Sequence, residues 1–147
     1  MFKKLLIANR GEIAVRIIRA AQDLGITTVS VYARDDTGAL HTTLADEAVA
    51  LDATGPAAYL DITTLVAVAR QHGCEAVHPG YGFLSERADF AQACADAGLV
   101  FIGPTPAQLA LFGDKARARQ LAAEHGVPLL PGTPAASLAE IEAFFAA

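Results

Sequence analysis

Short, wholly apolar runs alternate with longer stretches whose apolar residues recur at helical spacing. Leu5-Leu6-Ile7-Ala8 is the first such run, the mark of a strand covered on both faces. Asn9-Arg10-Gly11 breaks it. Residues 12–24 then predict a helix. Ile13, Ile17, Ala20 and Leu24 fall on one face, with Arg16, Arg19 and Asp23 on another. Gly25 is the expected stop. The stretch 27–32, Thr-Thr-Val-Ser-Val-Tyr, is rich in β-branched residues and predicts the second strand. Strand, helix, glycine and strand make a βαβ unit, whose crossover is expected to be right-handed.

The alternation continues. Residues 33–41 predict a polar loop, followed by a short turn or helix over 42–45 and a third strand over 47–51. Asp61 is placed to cap a helix over 62–72, with Leu65, Val66 and Ala69 inward and Gly73 as its stop. Ala76-Val77 ends the fourth strand. A helix from Arg87 presents Phe90, Ala91, Cys94 and Ala97 on one face and ends at Gly98, before a fifth strand over 99–102. The pattern then changes. Thr105-Pro106-Ala107-Gln108 is a capped helix start. Gly113-Asp114 separates that helix from another over 115–125. Ser137 and Glu140 form a second capping box, and its helix is expected to run to Ala147. The fold class that follows is α/β, a Rossmann-like doubly wound parallel sheet over residues 1–103. A helical linker over 104–147 would lead toward a second domain.

Composition narrows the function. The chain has 147 residues, is 53% hydrophobic and has a mean hydropathy of +0.35, enough to bury a core. A net charge of -5 argues against a nucleic-acid partner, which needs a basic face. It leaves room for a nucleotide site, which needs only a few local donors and cations. The two cysteines, Cys74 and Cys94, stand apart from each other and from histidines at metal spacing. They read as buried hydrophobes in a reducing compartment. The apolar start stops at Asn9, too early for a signal peptide. No run has the length of a membrane span. A cytoplasmic location, with no membrane partner, is the expectation.

Chemistry concentrates in His78-Pro79-Gly80-Tyr81-Gly82-Phe83-Leu84-Ser85-Glu86. Two glycines and a proline between strand and helix make a turn at the carboxyl edge of the sheet, where open α/β folds bind ligands. Ser85 is placed to cap the next helix, and Tyr81, Phe83 and Glu86 are expected around one rim. His78 suits a structural hydrogen bond better than catalysis. Asn9-Arg10-Gly11-Glu12 occupies the slot of a dinucleotide loop. It lacks two of that loop's three glycines, and Glu12 would meet a pyrophosphate with like charge. Strand two also ends without an acidic ribose ligand directly after it; Asp35 comes later. Lys115 opens a helix, where a cation opposes the dipole and invites an anionic partner. Arg16, Arg19 and Asp23 read either as a solvated helix face or as a contact surface.

Four blocks carry a family resemblance: Ala8-Asn9-Arg10-Gly11-Glu12-Ile13-Ala14, Leu44-Ala45-Asp46-Glu47-Ala48, the His78–Glu86 motif, and Gly103-Pro104 with Gly113-Asp114-Lys115. In this order they resemble the N-terminal, pre-ATP-grasp domain of biotin carboxylases from Met1 to about Gly132. The resemblance implies a ligase. In that family, ATP phosphorylates bicarbonate, and the resulting carboxyphosphate carboxylates biotin on a carrier protein or domain, feeding acyl-CoA, pyruvate or urea carboxylases. It implies an ATP-phosphate role for Lys115, and a biotin and bicarbonate cleft beside Tyr81, Gly82 and Glu86. A homodimer contact on the Arg16, Arg19 and Asp23 face is also implied. Catalytic residues and Mg2+ ligands are expected from an ATP-grasp domain beyond this sequence, so this chain alone is expected to lack activity. The loop 33–36 and the stretch 52–59 depart from the commonest family pattern and leave the carboxyl acceptor open. Two other readings stand beside this one: a nucleotide-binding module of another ATP-grasp or NAD-type enzyme, and a non-catalytic dimerisation domain.

Overall fold

Alternate residues of β1 (Lys4–Ile7) enter opposite faces of a sheet, as the pleat requires. Leu5 and Ile7 belong to one core, while Leu6 and the following Ala8 belong to another. The structure, a computed structural model, describes residues 2–130 and 137–146. Five parallel strands lie in the order β3-β2-β1-β4-β5, with β2 at Thr27–Tyr32, β3 at Glu47–Ala50, β4 at Ala76–His78 and β5 at Val100–Phe101. The winding runs outward from β1 in both directions. Right-handed crossovers that travel in opposite directions must place their helices on opposite faces.

The cores agree with that rule. On one face α1 (Gly11–Asp23) and the end of α2 (Leu40–Leu44) cover Leu5, Ile7 and Ala76. On the other, α3 (Ile62–Gln71) and α4 (Ala88–Asp96) supply Leu65, Ala69, Phe90 and Cys94 against Leu6, Val29, Val31 and Val77. Each of the Leu, Ile, Val and Phe side chains among these, fully buried, contributes roughly 2 kcal/mol of transfer free energy. Both cysteines are free and buried, and burial pushes each thiol up to about 11, which makes them inert packing groups.

Several local signals act as expected. The Asp61 carboxylate accepts from Thr64 N at 3.1 Å and caps α3. Gln108 Oε1 accepts from Thr105 N at 2.8 Å, and Thr105 Oγ1 accepts from Gln108 N at 3.2 Å, closing the capping box of α5 (Pro106–Gly113). The break expected at Gly113-Asp114 also holds a cap that was not anticipated, since Asp114 accepts from Ala116 N and Arg117 N at 3.0 and 3.1 Å at the start of α6 (Lys115–Glu124). The last helix, α7, covers Leu138–Ala146. The Glu140 side chain and Ala147, on which its capping box and its end were expected to turn, lie outside the described residues.

Others need correction. The inward face of α1 is Ala14, Ile17, Ile18 and Ala21, whereas Ala20 and Leu24 are exposed. This helix is apolar on more than one side, so spacing alone does not choose between stripes one residue apart. The segment 33–41 is no mere polar loop, since Asp36 and His41 are buried within it. Ser85 does not cap α4. Arg87 is the N-cap residue, with no side-chain capping bond, and Asp89 instead accepts from Phe90 N at 3.0 Å.

By contact the chain divides into two compact units, Met1–Leu109 and Ala110–Ala147. The sheet belongs wholly to the first. Among the described residues, no helix is long and apolar enough to cross a membrane.

Candidate functional site

The strand order reverses between β1 and β4. Their carboxyl ends therefore open a crevice that no crossover closes. Asn9 leaves β1 there and Pro79 leaves β4, so two sequence motifs some seventy positions apart meet at one point. Asn9 is 2% exposed. Its Nδ2 donates to Pro79 O at 2.7 Å and to Tyr81 O at 2.9 Å, and its Oδ1 accepts from Arg10 N at 2.8 Å. Gly80 wraps around that amide at φ +67, and a Cβ there would stand 2.7 Å from Asn9 Nδ2.

The loop then turns outward. Tyr81 is 62% exposed, and its hydroxyl donates to Glu12 Oε2 at 3.2 Å. Gly82 has φ +66 with open space where a Cβ would be. Glu86 is exposed, while the neighbouring Arg87 pairs with Asp89. Phe83 does not join the rim as expected. At φ +42 it is half-buried against the core, its ring 5.3 Å from that of Tyr59. A left-handed aromatic residue is strained, and this ring contact holds it. His78 has a structural partner, since its Nδ1 accepts from Gly80 N at 3.0 Å; burial lowers its pKa.

Beside this crevice lies a polar cluster that the sequence did not announce. The Arg10 guanidinium forks onto the Asp36 carboxylate, with Nε donating to Oδ2 at 2.5 Å and Nη2 to Oδ1. The Tyr59 hydroxyl donates to Asp36 Oδ2 at 2.6 Å and accepts from Ala33 N at 3.0 Å. Arg10 and the Tyr59 hydroxyl hold the Asp36 carboxyl down at about 2, against burial; burial first, then Asp36, pushes the Tyr59 phenol up to about 12. His41 is 1% exposed, and among the described residues its ring nitrogens find at most a poorly aligned partner in the Val31 backbone. Burial lowers its pKa, only partly opposed by the Asp36 charge. The neighbouring acid is also occupied: Asp35 Oδ1 accepts from Gly55 N at 2.8 Å. Arg34 pairs with Asp52. Thus the stretches 33–36 and 52–59 are bound to each other. Both acids after β2 serve the protein itself, which removes the ribose ligand that a dinucleotide site needs.

This cluster makes stability pH-dependent, in a direction fixed by the shifts. Burial lowers the pKa of His41 and His78 in the fold below the 6.5 of the unfolded chain, so stability falls as pH drops below that value. Asp36 contributes stability fully above its ordinary 3.8, lost as pH falls through about 2. Urea midpoints are expected to decline from pH 7 to 5 and again below pH 4. His41→Leu should flatten the first decline in part and leave the second; an unaltered first decline would refute the role of His41.

Two concavities lie elsewhere on the sheet domain. One of about 670 Å³ sits at the amino ends of the strands, lined by Phe2, Arg70, Glu75 and Val100. Another of about 400 Å³ is an apolar groove along α1, lined by Ile13, Ile17, Ala20, Leu24 and Ile102. Neither gathers convergent donors and cations, so topology rather than volume assigns the site to the β1/β4 crevice. Lys115 belongs to the second compact unit. It is the first residue of α6, exposed, and no ion pair or hydrogen bond among the described residues engages it. That leaves its charge available to an anion. No cluster of acids, histidines or cysteines among the described residues can hold a metal ion.

Residues 1–109 match the family described as biotin carboxylase, N-terminal domain. The chain belongs to that family. Mitochondrial pyruvate carboxylase of Mus musculus is 54% identical over 146 residues, covering 97% of this chain and 12% of that protein. The solved biotin carboxylase domain of a single-chain bacterial carboxylase superposes with a TM-score of 0.94 at 62% identity, covering 97% of this chain and 33% of that one. A second solved relative is the Hydrogenobacter thermophilus 2-oxoglutarate carboxylase biotin carboxylase domain dimer, in complex with MgADP, ADP and bicarbonate. It has a TM-score of 0.88 at 47% identity, covering 90% of this chain and 29% of that chain. This chain therefore spans an eighth to a third of the relatives it matches. Within this biotin carboxylase N-terminal domain, two of the blocks that carried the resemblance, 8–14 and 78–86, meet at the crevice, whereas 44–48 lies at the amino ends of the strands, where Asp46 accepts from Thr28 N and Glu47 pairs with Lys4. Asp36, Tyr59 and His41 carried no motif that could have marked them.

Proposed function

We propose that this chain forms one wall of an ATP-driven biotin carboxylase, which uses bicarbonate to carboxylate biotin on a carrier protein or domain. The observation that carries the reading is the junction of the Asn9 and Gly80-Tyr81-Gly82 turns at the β1/β4 switch point. It leaves an exposed phenol at the place where such folds bind ligands. In this reading the sheet domain ends near residue 103, and the rest leads into an ATP-grasp domain.

Each residue then has a limited task. Lys115, a free cation at the start of α6, neutralises a phosphate of ATP. Tyr81 offers a ring and a hydroxyl to the biotin and bicarbonate end of the cleft, Gly82 keeps the backbone open to approach, and Glu86 bounds the wall. Bound ATP supplies the phosphoryl group that activates bicarbonate. Mg2+ is held in this reading by residues of the ATP-grasp domain. The exposed Arg16, Arg19 and Asp23 form a homodimer contact in this reading, supported by the adjacent apolar groove along α1. A cytoplasmic setting is also proposed, supported by the two free thiols. The final carboxyl acceptor belongs to the remainder of the carboxylase.

The test is phosphate release from ATP and Mg2+. The carboxylase that carries this chain is expected to release phosphate in a manner dependent on bicarbonate and stimulated by biotin. The 147-residue chain alone is expected to stay at background, because positioning a transferring phosphoryl group requires metal and phosphate ligands together. Bicarbonate-dependent turnover by the pure short chain would overturn the one-wall assignment. A longer enzyme with no bicarbonate dependence would overturn the carboxylase reading.

A further inference from the structure

We propose that Asn9 is a positioning residue for Tyr81, and that Glu12 completes the alignment by fixing the phenol. The inference rests on the reading of Tyr81 as part of the biotin and bicarbonate cleft.

The geometry is specific to an amide. Two carbonyl oxygens, Pro79 O and Tyr81 O, converge on the single nitrogen Asn9 Nδ2 at 2.7 and 2.9 Å, while Arg10 N donates to Oδ1 at 2.8 Å. Both amide hydrogens are therefore spent on the loop, and the oxygen is spent on the residue that begins the turn into α1. Only one orientation of the amide satisfies all three partners. An aspartate in the same space would turn an acceptor toward two acceptors. Gly80 lies between the bound carbonyls and has no side chain to push the amide away. Tyr81 is thus tied at its backbone from β1, and at its hydroxyl by Glu12 at 3.2 Å from α1. A largely exposed tyrosine ordinarily samples several rotamers. One held at both ends is ordered before its ligand arrives, which lowers the entropic cost of binding.

The test separates positioning from packing. In the 147-residue chain labelled with 3-fluorotyrosine, Tyr32, Tyr59 and Tyr81 give three fluorine resonances, with Tyr81 assigned by Tyr81→Phe. Asn9→Asp is expected to move and narrow the Tyr81 resonance toward that of an unrestrained tyrosine, leaving the other two in place. Asn9→Ser introduces no buried charge and keeps one donor, so it serves if the aspartate variant fails to fold; it should give a smaller shift of the same sign. Glu12→Gln, on the surface, should shift Tyr81 alone. In the longer carboxylase, Asn9→Ser is expected to raise the KM for biotin about tenfold and to leave the KM for ATP within about twofold. A Tyr81 resonance indifferent to Asn9 and Glu12 overturns the proposal. So does a shifted resonance with biotin KM unchanged in Asn9→Ser but raised in Tyr81→Ala. If Tyr81→Ala itself leaves the biotin KM unchanged, the cleft reading of Tyr81 fails, whereas fluorine shifts that still respond to Asn9 and Glu12 uphold the positioning of Tyr81.

Discussion

Replacing Gly80 by alanine is expected to destabilise the chain by roughly 3 kcal/mol, while the same change at Gly82 costs only about 1 kcal/mol. Both glycines have left-handed backbone, at φ +67 and +66, so both variants bear the strain of an L side chain there. Only Gly80 adds a collision. Its Cβ would stand 2.7 Å from Asn9 Nδ2 and 3.1 Å from both Asn9 Cγ and Ile13 Cγ1. Asn9 cannot yield without releasing Pro79 and Tyr81, and Ile13 is seated on α1. Against a stability of about 5–15 kcal/mol for a typical domain, the Gly80 variant loses a large share. Urea unfolding of the two variants at unchanged m-value measures the difference. Equal midpoints would mean that the β1/β4 junction relaxes freely and is not a rigid part of the fold. Gly82→Ala, being tolerated by the fold, is then the cleaner probe of ligand approach at that position.

In the carboxylase that carries this chain, Lys115→Gln is expected to raise the KM for ATP ten- to a hundredfold, from the loss of a charged hydrogen bond of about 1.5–3 kcal/mol. The KM for biotin should stay within about twofold. The argument rests on what surrounds Lys115. Asp114 is its neighbour, yet that carboxylate accepts from Ala116 N and Arg117 N as the helix cap and does not pair with the ammonium. A cation in the first turn of α6 faces the positive end of the helix dipole, so it adds nothing to the helix and is available to an anion. Lys115→Arg keeps the charge but spreads it over a planar fork, and should recover only part of the loss. An ATP KM unchanged in Lys115→Gln would remove Lys115 from the phosphate site.

The order of elements was legible because each is written in local terms. An unbroken apolar run gives β1, β-branched residues give β2, and glycines at 25, 73 and 98 follow α1, α3 and α4. Asp61 and Thr105 cap the helices that follow them, and such caps act within three residues. The alternation of strands and helices then leaves a doubly wound sheet as the economical arrangement, and the motif after β4 marks its ligand-binding edge.

Tertiary structure decided what depends on partners far away in the chain. Asn9 and Pro79 are separated by 70 positions, Arg10 and Asp36 by 26, and Tyr59 and Asp36 by 23. A carboxylate in a polar stretch looks solvated until an arginine and a phenol arrive to replace its water. The inward face of α1 was settled the same way: its sequence offers two apolar stripes, and the sheet covers only one. The two glycines around Tyr81 read alike in sequence, and only the position of Asn9 makes one indispensable to the fold and leaves the other open. Local sequence determines backbone preference within a turn or two, whereas burial and charge depend on the whole set of neighbours, and those exist only once the chain has closed on itself.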